Sequence, residues 1–267
     1  MASYFDHYAS VNDLSPRGRR GHWRHLDLTL GPHLPHPQGQ PRVVDIGCGA
    51  GILLEWLRER GYPRACGVDI DAGQVDFARG LGLDATRTDD VTGWLEGRQA
   101  DVVVLKDVLE HLEEAQAEAL LRTVARQLAP GGIVYLTVPN AGASFASYWR
   151  YVDGTHLRSY TAHSLRWRLA GAGLELQHLG SDDVWAAGSA LGHLRLALRR
   201  AFRLLRRLEA LAEFGHEGLD LPLGLNLVAV ARAAVSSHAR VEVAQAEAEQ
   251  LGGQAGAALP GEGPAPR

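Results

Sequence analysis

A chain of 267 residues holds one sizeable α/β core with or without a small appendage, and is too short for two full enzyme domains. Hydrophobic residues make up 46% and charged residues 22%, which excludes wholesale disorder, a collagen-like repeat and a charged-tail protein. The net charge of −4 supplies no field that would gather nucleic acid, so no nucleic-acid partner is expected.

Residues 1–40 are expected to form a helical cap, and their opening MASYFDHYASVNDLSPRGRR lacks the basic-then-apolar pattern of a secretory signal. From Arg42 onward apolar runs alternate with helical patterns, the rhythm of a parallel sheet with helices on its faces. Strands are expected near 42–46, 65–69, 84–87, 101–105 and 132–138, with helices near 50–60, 72–80 and 114–128, the last stopped by Pro130-Gly131-Gly132. A short aromatic helix within SFASYWRYVDGTHLRSY, a helix near 161–171 and a strand near 174–179 follow, and the strand LGLNLVAVARA begins at Leu223. The fold class is therefore α/β, a seven-stranded mostly parallel sheet with helices on both faces, occupying 41–232. It carries an inserted helical element at about 181–222 with an arginine-rich helix at 188–213. A C-terminal helix and a disordered Gly/Pro/Ala-rich tail are expected over 233–267. The cysteines, Cys48 and Cys66, form no CxxC pair, so neither a disulfide framework nor a metal site is expected, and a cytoplasmic location fits.

The strongest chemical signal is VVDIGCGAG, Val43 to Gly51, at the turn from the first strand into the first sheet-flanking helix. Gly47, Gly49 and Gly51 allow a sharp turn and close approach of a ligand, and the helix N-terminus offers N–H groups. Asp69, ending the second strand in GVDID, stands where an acid accepts hydrogen bonds from ribose hydroxyls. The dinucleotide pattern GxGxxG fails, because Ile52 occupies the third glycine position. Asp45, just before the glycines, suits a ligand with a cationic amino-acid end better than a pyrophosphate.

The helix at 188–213 separates into two faces. At about 100° per residue its arginines (195, 199, 200, 203, 206 and 207) fill a sector from ~40° to ~180°, with Leu194, Leu198, Leu205, Leu208 and Leu211 opposite. Such a helix either lies on an anionic membrane or against an acidic or lipid-linked substrate, or packs by its leucine face on the domain with its arginines solvated.

VVDIGCGAG, GVDID, TDDVT at 88–92, VVVLKDVLEHL at 102–112 and LAPGGIVYLTVPN at 128–140 together resemble, in order and spacing, the class I S-adenosylmethionine-dependent methyltransferases. The DVLEHL box and GTHLRSYT are most similar to the ubiquinone/menaquinone O-methyltransferase-like branch. The resemblance implies a Rossmann-like methyltransferase fold and S-adenosyl-L-methionine as cofactor. It assigns Asp45 and the backbone of Gly47, Cys48, Gly49 and Gly51 to the methionyl end, Asp69 to the ribose, and Ile70 to the adenine face. Asp90 or its rival Asp89 takes the adenine amino group, with the Val91 N–H on a ring nitrogen and Lys106 contributing backbone. Arg19, Arg20 or Arg24 is a further candidate to reach the cofactor. Packing alone is the ordinary role for Cys48.

Methyl transfer requires in-line positioning, exclusion of water and, for a hydroxyl acceptor, removal of a proton. His111 and His156 are the candidate bases, each with a purely structural alternative. Tyr148, Trp149, Tyr151 and Tyr160 are candidates to wall an acceptor, and Arg150 or Arg158 to grip an anionic one, with lid packing as the alternative. The implied function is methylation of oxygen on a small-molecule or lipid-linked acceptor, with peripheral membrane contact through 188–213. The rival is a cofactor-binding scaffold that does no chemistry.

Overall fold

A computed structural model describes residues 4–182 and 189–234. The expected C-terminal helix and tail lie outside this range, apart from Ala233 and Ala234, as do residues 183–188 of the insertion.

Three short helices, α1 (Tyr4–Val11), α2 (Pro16–Gly21) and α3 (Trp23–Thr29), precede the sheet. The alternation then runs β1 (Val43–Ile46), α4 (Ile52–Glu59), β2 (Ala65–Asp69), α5 (Ala72–Gly80), β3 (Ala85–Arg87), α6 (Val91–Leu95), β4 (Ala100–Lys106), α7 (Glu114–Gln127) and β5 (Leu128–Pro139). The remaining elements are α8 (Ala146–Tyr151), α9 (Ala162–Gly171), β6 (Leu174–Ser181), α10 (Ala190–Phe214) and β7 (Asn226–Ala233). The strand order is β3-β2-β1-β4-β5-β7-β6, and β7 runs antiparallel to both of its neighbours. Reversal of order at β1/β4 opens a crevice at the carboxyl ends of these strands, where open α/β sheets take ligands.

Two buried clusters cover the two faces. Val44, Ile46, Val103, Leu105, Leu136 and Val138 pack with α7 and α9. Val43, Val102, Val104, Tyr135 and Val230 pack with α3, α4 and α5. Adjacent positions in β1 and β4 thus serve opposite faces, which is why these strands read as continuous apolar runs. The N-terminal helices are clamped onto α4: Arg19 grips Glu55 through Nε at 2.7 Å and Nη2 at 3.0 Å, and Asp27 accepts from Trp56 and Arg60.

Three expectations need correction. Pro130-Gly131-Gly132 does not lie between helix and strand: β5 already starts at Leu128, paired with Ala100, and these residues form an irregularity in it, Gly131 having φ +78°. Helix α6 adds to the expected elements, and Asp90, a candidate ligand acid, is its N-cap. Helix α10 has the expected extent, but it does not pack by its leucines. Its buried and half-buried positions include Gly192, Leu196, Arg199, Arg203, Arg206 and Ala210, one stripe in the arginine sector. Small residues there allow close approach, Ala210 meeting Gly218 backbone to backbone, while Arg207 donates to the Leu219 carbonyl. No described helix is long and apolar enough to cross a membrane.

Candidate active site

The crevice is built at the ends of β1, β2 and β4. Gly47, Gly49 and Gly51 all hold positive φ (+74°, +53° and +79°), a region that β-carbon-bearing residues rarely adopt. A Cβ on them would meet Val108, Gln74 and Leu83 at 2.6, 2.7 and 2.6 Å, so it is protein, rather than ligand, that fills the space the glycines leave. Their amides are also spent internally: Gly47 and Cys48 N–H donate to the Val68 carbonyl, Gly49 N–H to Asp69 Oδ2 at 2.8 Å, and Gly51 N–H to the Cys48 carbonyl. This replaces the expected cradle of free amides. Cys48 turns into the core against Gly67, and burial pushes its thiol well up, leaving packing as its task.

Asp69 receives Gly49 N–H on Oδ2 and Asp71 N–H on Oδ1, and is half-buried, so its orientation is fixed while part of it faces the crevice. Beside it Ile70 is 64% exposed, an apolar surface left at the rim. Asp45 is almost fully buried; desolvation first and the charge of Asp69 second push its carboxyl up to about 7, against a smaller opposing pull from Lys106. Asp90 caps α6 by accepting from Gly93 N–H at 2.8 Å, Val91 begins that helix, and Asp89 is exposed next to it. Of the N-terminal arginines, Arg19 is committed to Glu55 and the Leu14 carbonyl, Arg20 stacks on Trp23, and Arg24 is exposed.

At the end of β4 the Lys106 side chain pairs with Asp107, an aspartate with φ +57° whose Oδ1 also accepts from the Thr137 hydroxyl at 2.7 Å. Burial raises the Asp107 carboxyl, but Lys106 and Thr137 outweigh it and hold it below the ordinary carboxylate range. Tyr8 of α1 lies within electrostatic reach of Lys106, Asp107 and Asp69, and His22 within reach of Lys106.

The two candidate bases come together. His111 and His156 contact edge to face with centroids 4.8 Å apart. One oxygen of Glu110 and one nitrogen of each histidine lie within 4.8 Å of one another, a grouping with the donor chemistry to hold a metal ion. Thr155 Oγ1 is 2.6 Å from Asp153 Oδ1 and 2.9 Å from His111 Nδ1. The carboxylate only accepts, so the hydroxyl proton points to Asp153 and His111 Nδ1 must carry the proton that the hydroxyl accepts. His156 Nδ1 faces the Arg150 carbonyl at 3.2 Å and is likewise the protonated nitrogen. With Nδ1 carrying the proton, the lone pair of a neutral ring lies on Nε2. Burial, followed by the charge of His156, lowers the His111 pKa and favours this neutral form. Glu110 is 1% exposed with Oε2 unpartnered; desolvation, then Asp107, raises it to about 8.

Of the loop residues, Tyr160 is a core residue donating to the Leu109 carbonyl, Trp149 donates to Asn226, and Arg158 pairs with Glu113 and Glu114. Tyr148 and Tyr151 stay exposed, and Arg150 stacks on Tyr151.

Residues 11–179 match the family model described as a methyltransferase domain. The chain belongs to that family, the class I S-adenosylmethionine-dependent methyltransferases. It is 30% identical over 158 residues to a ubiquinone biosynthesis O-methyltransferase of Parvibaculum lavamentivorans, covering 52% of this chain and 60% of that protein. It is 26% identical over 171 residues to a second protein of that name from Brucella anthropi, covering 62% and 64%. The chain thus matches less than two thirds of these relatives' length. The fold is shared with a SAM-dependent methyltransferase from Archaeoglobus fulgidus at TM-score 0.59 and 20% identity, covering 86% of this chain and 99% of that one. The cofactor of this methyltransferase class is S-adenosylmethionine, and the acidic end of the crevice fits it. Asp69 adds to the cost of ionising the buried Asp45, a cost that a cationic ligand relieves.

Sequence reading missed Asp107, Glu110, Tyr8 and His22. Glu110 had a signal, an acid inside the otherwise apolar DVLEHL turn; the others depend on tertiary folding.

Proposed function

We propose that this chain transfers the methyl group of S-adenosylmethionine to an oxygen of a small-molecule or lipid-linked acceptor. The bound cofactor supplies an electrophilic methyl group. Asp69 receives the ribose hydroxyls, the exposed Ile70 side chain packs on adenine, and Asp90 or Asp89 with the Val91 N–H meets the adenine edge. Asp45, ionised, faces the cationic amino end, with carbonyl oxygens of the Gly47–Gly51 turn as the acceptors an ammonium needs. Lys106 contributes its backbone at the end of β4.

The observation that carries the oxygen reading is the Asp153–Thr155–His111 chain, which leaves Nε2 of a neutral imidazole as a proton acceptor. His156 is the second acceptor, and the protonated Glu110 carboxyl beneath them lets the pair gain a proton without a buried anion competing for it. Asp153 orients the chain and favours the imidazolium once it forms. A lipid-linked acceptor requires contact with a membrane, and residues 188–213 are the segment suited to it.

The test is turnover by the full chain on a panel of phenols and catechols, read as demethylated cofactor. His111→Ala and His156→Ala are expected to lower kcat by about 100-fold with cofactor affinity kept, while Asp69→Ala loses cofactor binding. Wild-type rates in both histidine variants end the base assignment. Cofactor binding without turnover on phenols, sugars or amines favours the scaffold instead.

A further inference from the structure

The outer face of α10 is an unusual surface for a monomeric globular protein. Leu194, Leu198, Phe202, Leu205 and Leu208 are 52–65% exposed, and they share one side of the helix with Leu191. From Leu191 to Leu208 this face holds no charged residue, over roughly 26 Å at 1.5 Å per residue. The helix is held from its opposite side, by the arginine-bearing stripe and by the 3-10 turn Gly215–Asp220. Contiguous apolar surface of this kind marks a contact site.

Its borders identify the occupant. Arg195 and Arg200, both exposed, sit at about 40° and 180° on the helical wheel, one at each edge of the apolar sector. The acids of α10, Glu209 and Glu213, come only after the apolar stretch. A second copy laid parallel would set arginine borders against arginine borders, and one laid antiparallel would bring Glu209 opposite Arg195 but no acid opposite Arg200. A bilayer with anionic headgroups accepts the leucines below and the guanidinium groups at phosphate level, where long basic side chains extend from an apolar face.

We infer that α10 is an interfacial helix that seats this protein on anionic phospholipid by its leucine–phenylalanine face, with Arg195 and Arg200 at the headgroups. This deepens the lipid-linked reading above by naming the face and the lipid charge, and it stands on surface geometry rather than on the chemistry of the crevice. The insertion is tied to the acceptor side. Asn226 accepts from Trp149 of α8 at 2.7 Å and donates to Asp182 at 2.8 Å, and Asn140, just after β5, donates to the Pro222 and Gly224 carbonyls.

The experiment is flotation of the full chain with vesicles of phosphatidylcholine, alone or mixed with phosphatidylglycerol, at low and high salt. Wild-type protein is expected to float with the anionic vesicles, weakly with the neutral ones, and less as salt rises. The double variant Leu198→Glu/Leu205→Glu, at exposed positions, is expected to lose at least about tenfold in vesicle affinity while keeping cofactor binding and turnover on a soluble phenol. Arg195→Glu/Arg200→Glu is expected to lose the preference for anionic vesicles. Equal flotation of the leucine variant overturns the inference. So does failure of the wild type to float, or a wild-type dimer in light scattering that the leucine variant dissolves while vesicles bind neither. A failure of methyl transfer with flotation intact would count against the proposed function alone.

Discussion

The glycine turn and helix α10 are both strong sequence patterns, yet they inform about structure in different ways. At the turn, each glycine answers to a local demand, a positive φ and a protein neighbour under 3 Å from the missing Cβ. Its pattern therefore specifies a conformation. In α10 the pattern specifies only that the helix has two unlike faces. Which face is covered is decided by what lies against it, here the turn Gly215–Asp220, which approaches closely at the small residue Ala210 among the arginines. Amphipathicity is a statement about partners, and a bilayer is as good a partner as a core.

This contrast can be broken most severely at the turn. Gly51→Val combines φ +79° for a β-branched residue with a Cβ 2.6 Å from Leu83 and 2.9 Å from Ala78, joining backbone strain to overpacking of α5. The expected loss is about 3–5 kcal/mol, a large share of a typical domain's stability. Denaturant titration should show a collapsed midpoint or no folded protein; an unchanged midpoint would mean that the turn tolerates side chains.

A smaller, pH-dependent effect is expected at Asp45. Its native carboxyl titrates at about 7, raised by burial and by Asp69, whereas an unfolded one titrates near ~4. Between these values the unfolded chain has lost the proton and the native protein keeps it, so stability falls as pH rises, by up to ~1.4 kcal/mol per pH unit. Glu110, raised to about 8, adds a slope of the same sign. Asp45→Asn should remove part of the decline and leave the Glu110 part. Cofactor affinity should behave oppositely: it rises as pH passes about 7 in the wild type, where ionised Asp45 meets a cation, and stays flat in Asp45→Asn. Parallel pH slopes in the two proteins, for stability and for affinity, would show that Asp45 is not the titrating group.

These expectations also show what the sequence could carry. The central strands were readable because burial on both faces leaves uninterrupted apolar runs, and Asp69 was readable because it closes one of them. His111 and His156 were each identifiable, but their meeting is a product of a long loop returning over β4, which no local pattern encodes. Asp107 and Tyr8 were not legible at all. The first matters through a left-handed backbone and a Thr137 hydroxyl from the neighbouring strand, the second through tertiary folding that brings α1 within electrostatic reach of Lys106 and Asp107. Asp90 was legible in the wrong sense as well as the right one, since the same acid that suits an adenine edge also caps a helix.

The mildest test separates leucines that look alike in sequence. Leu121 of α7 is fully buried in the core against the sheet, whereas Leu205 of α10 is 60% exposed. Truncating the first to alanine removes core contacts and leaves a cavity, at a cost of about 2–5 kcal/mol. Truncating the second removes surface that water already reaches and lies within ±0.5 kcal/mol of neutral. The pair of melting curves therefore reads out which way α10 faces: a large loss at Leu205 would place its apolar side in the protein's own core. Indifference in solution, joined to weakened flotation with anionic vesicles, would mean that the same leucine contributes free energy only when the bilayer is present.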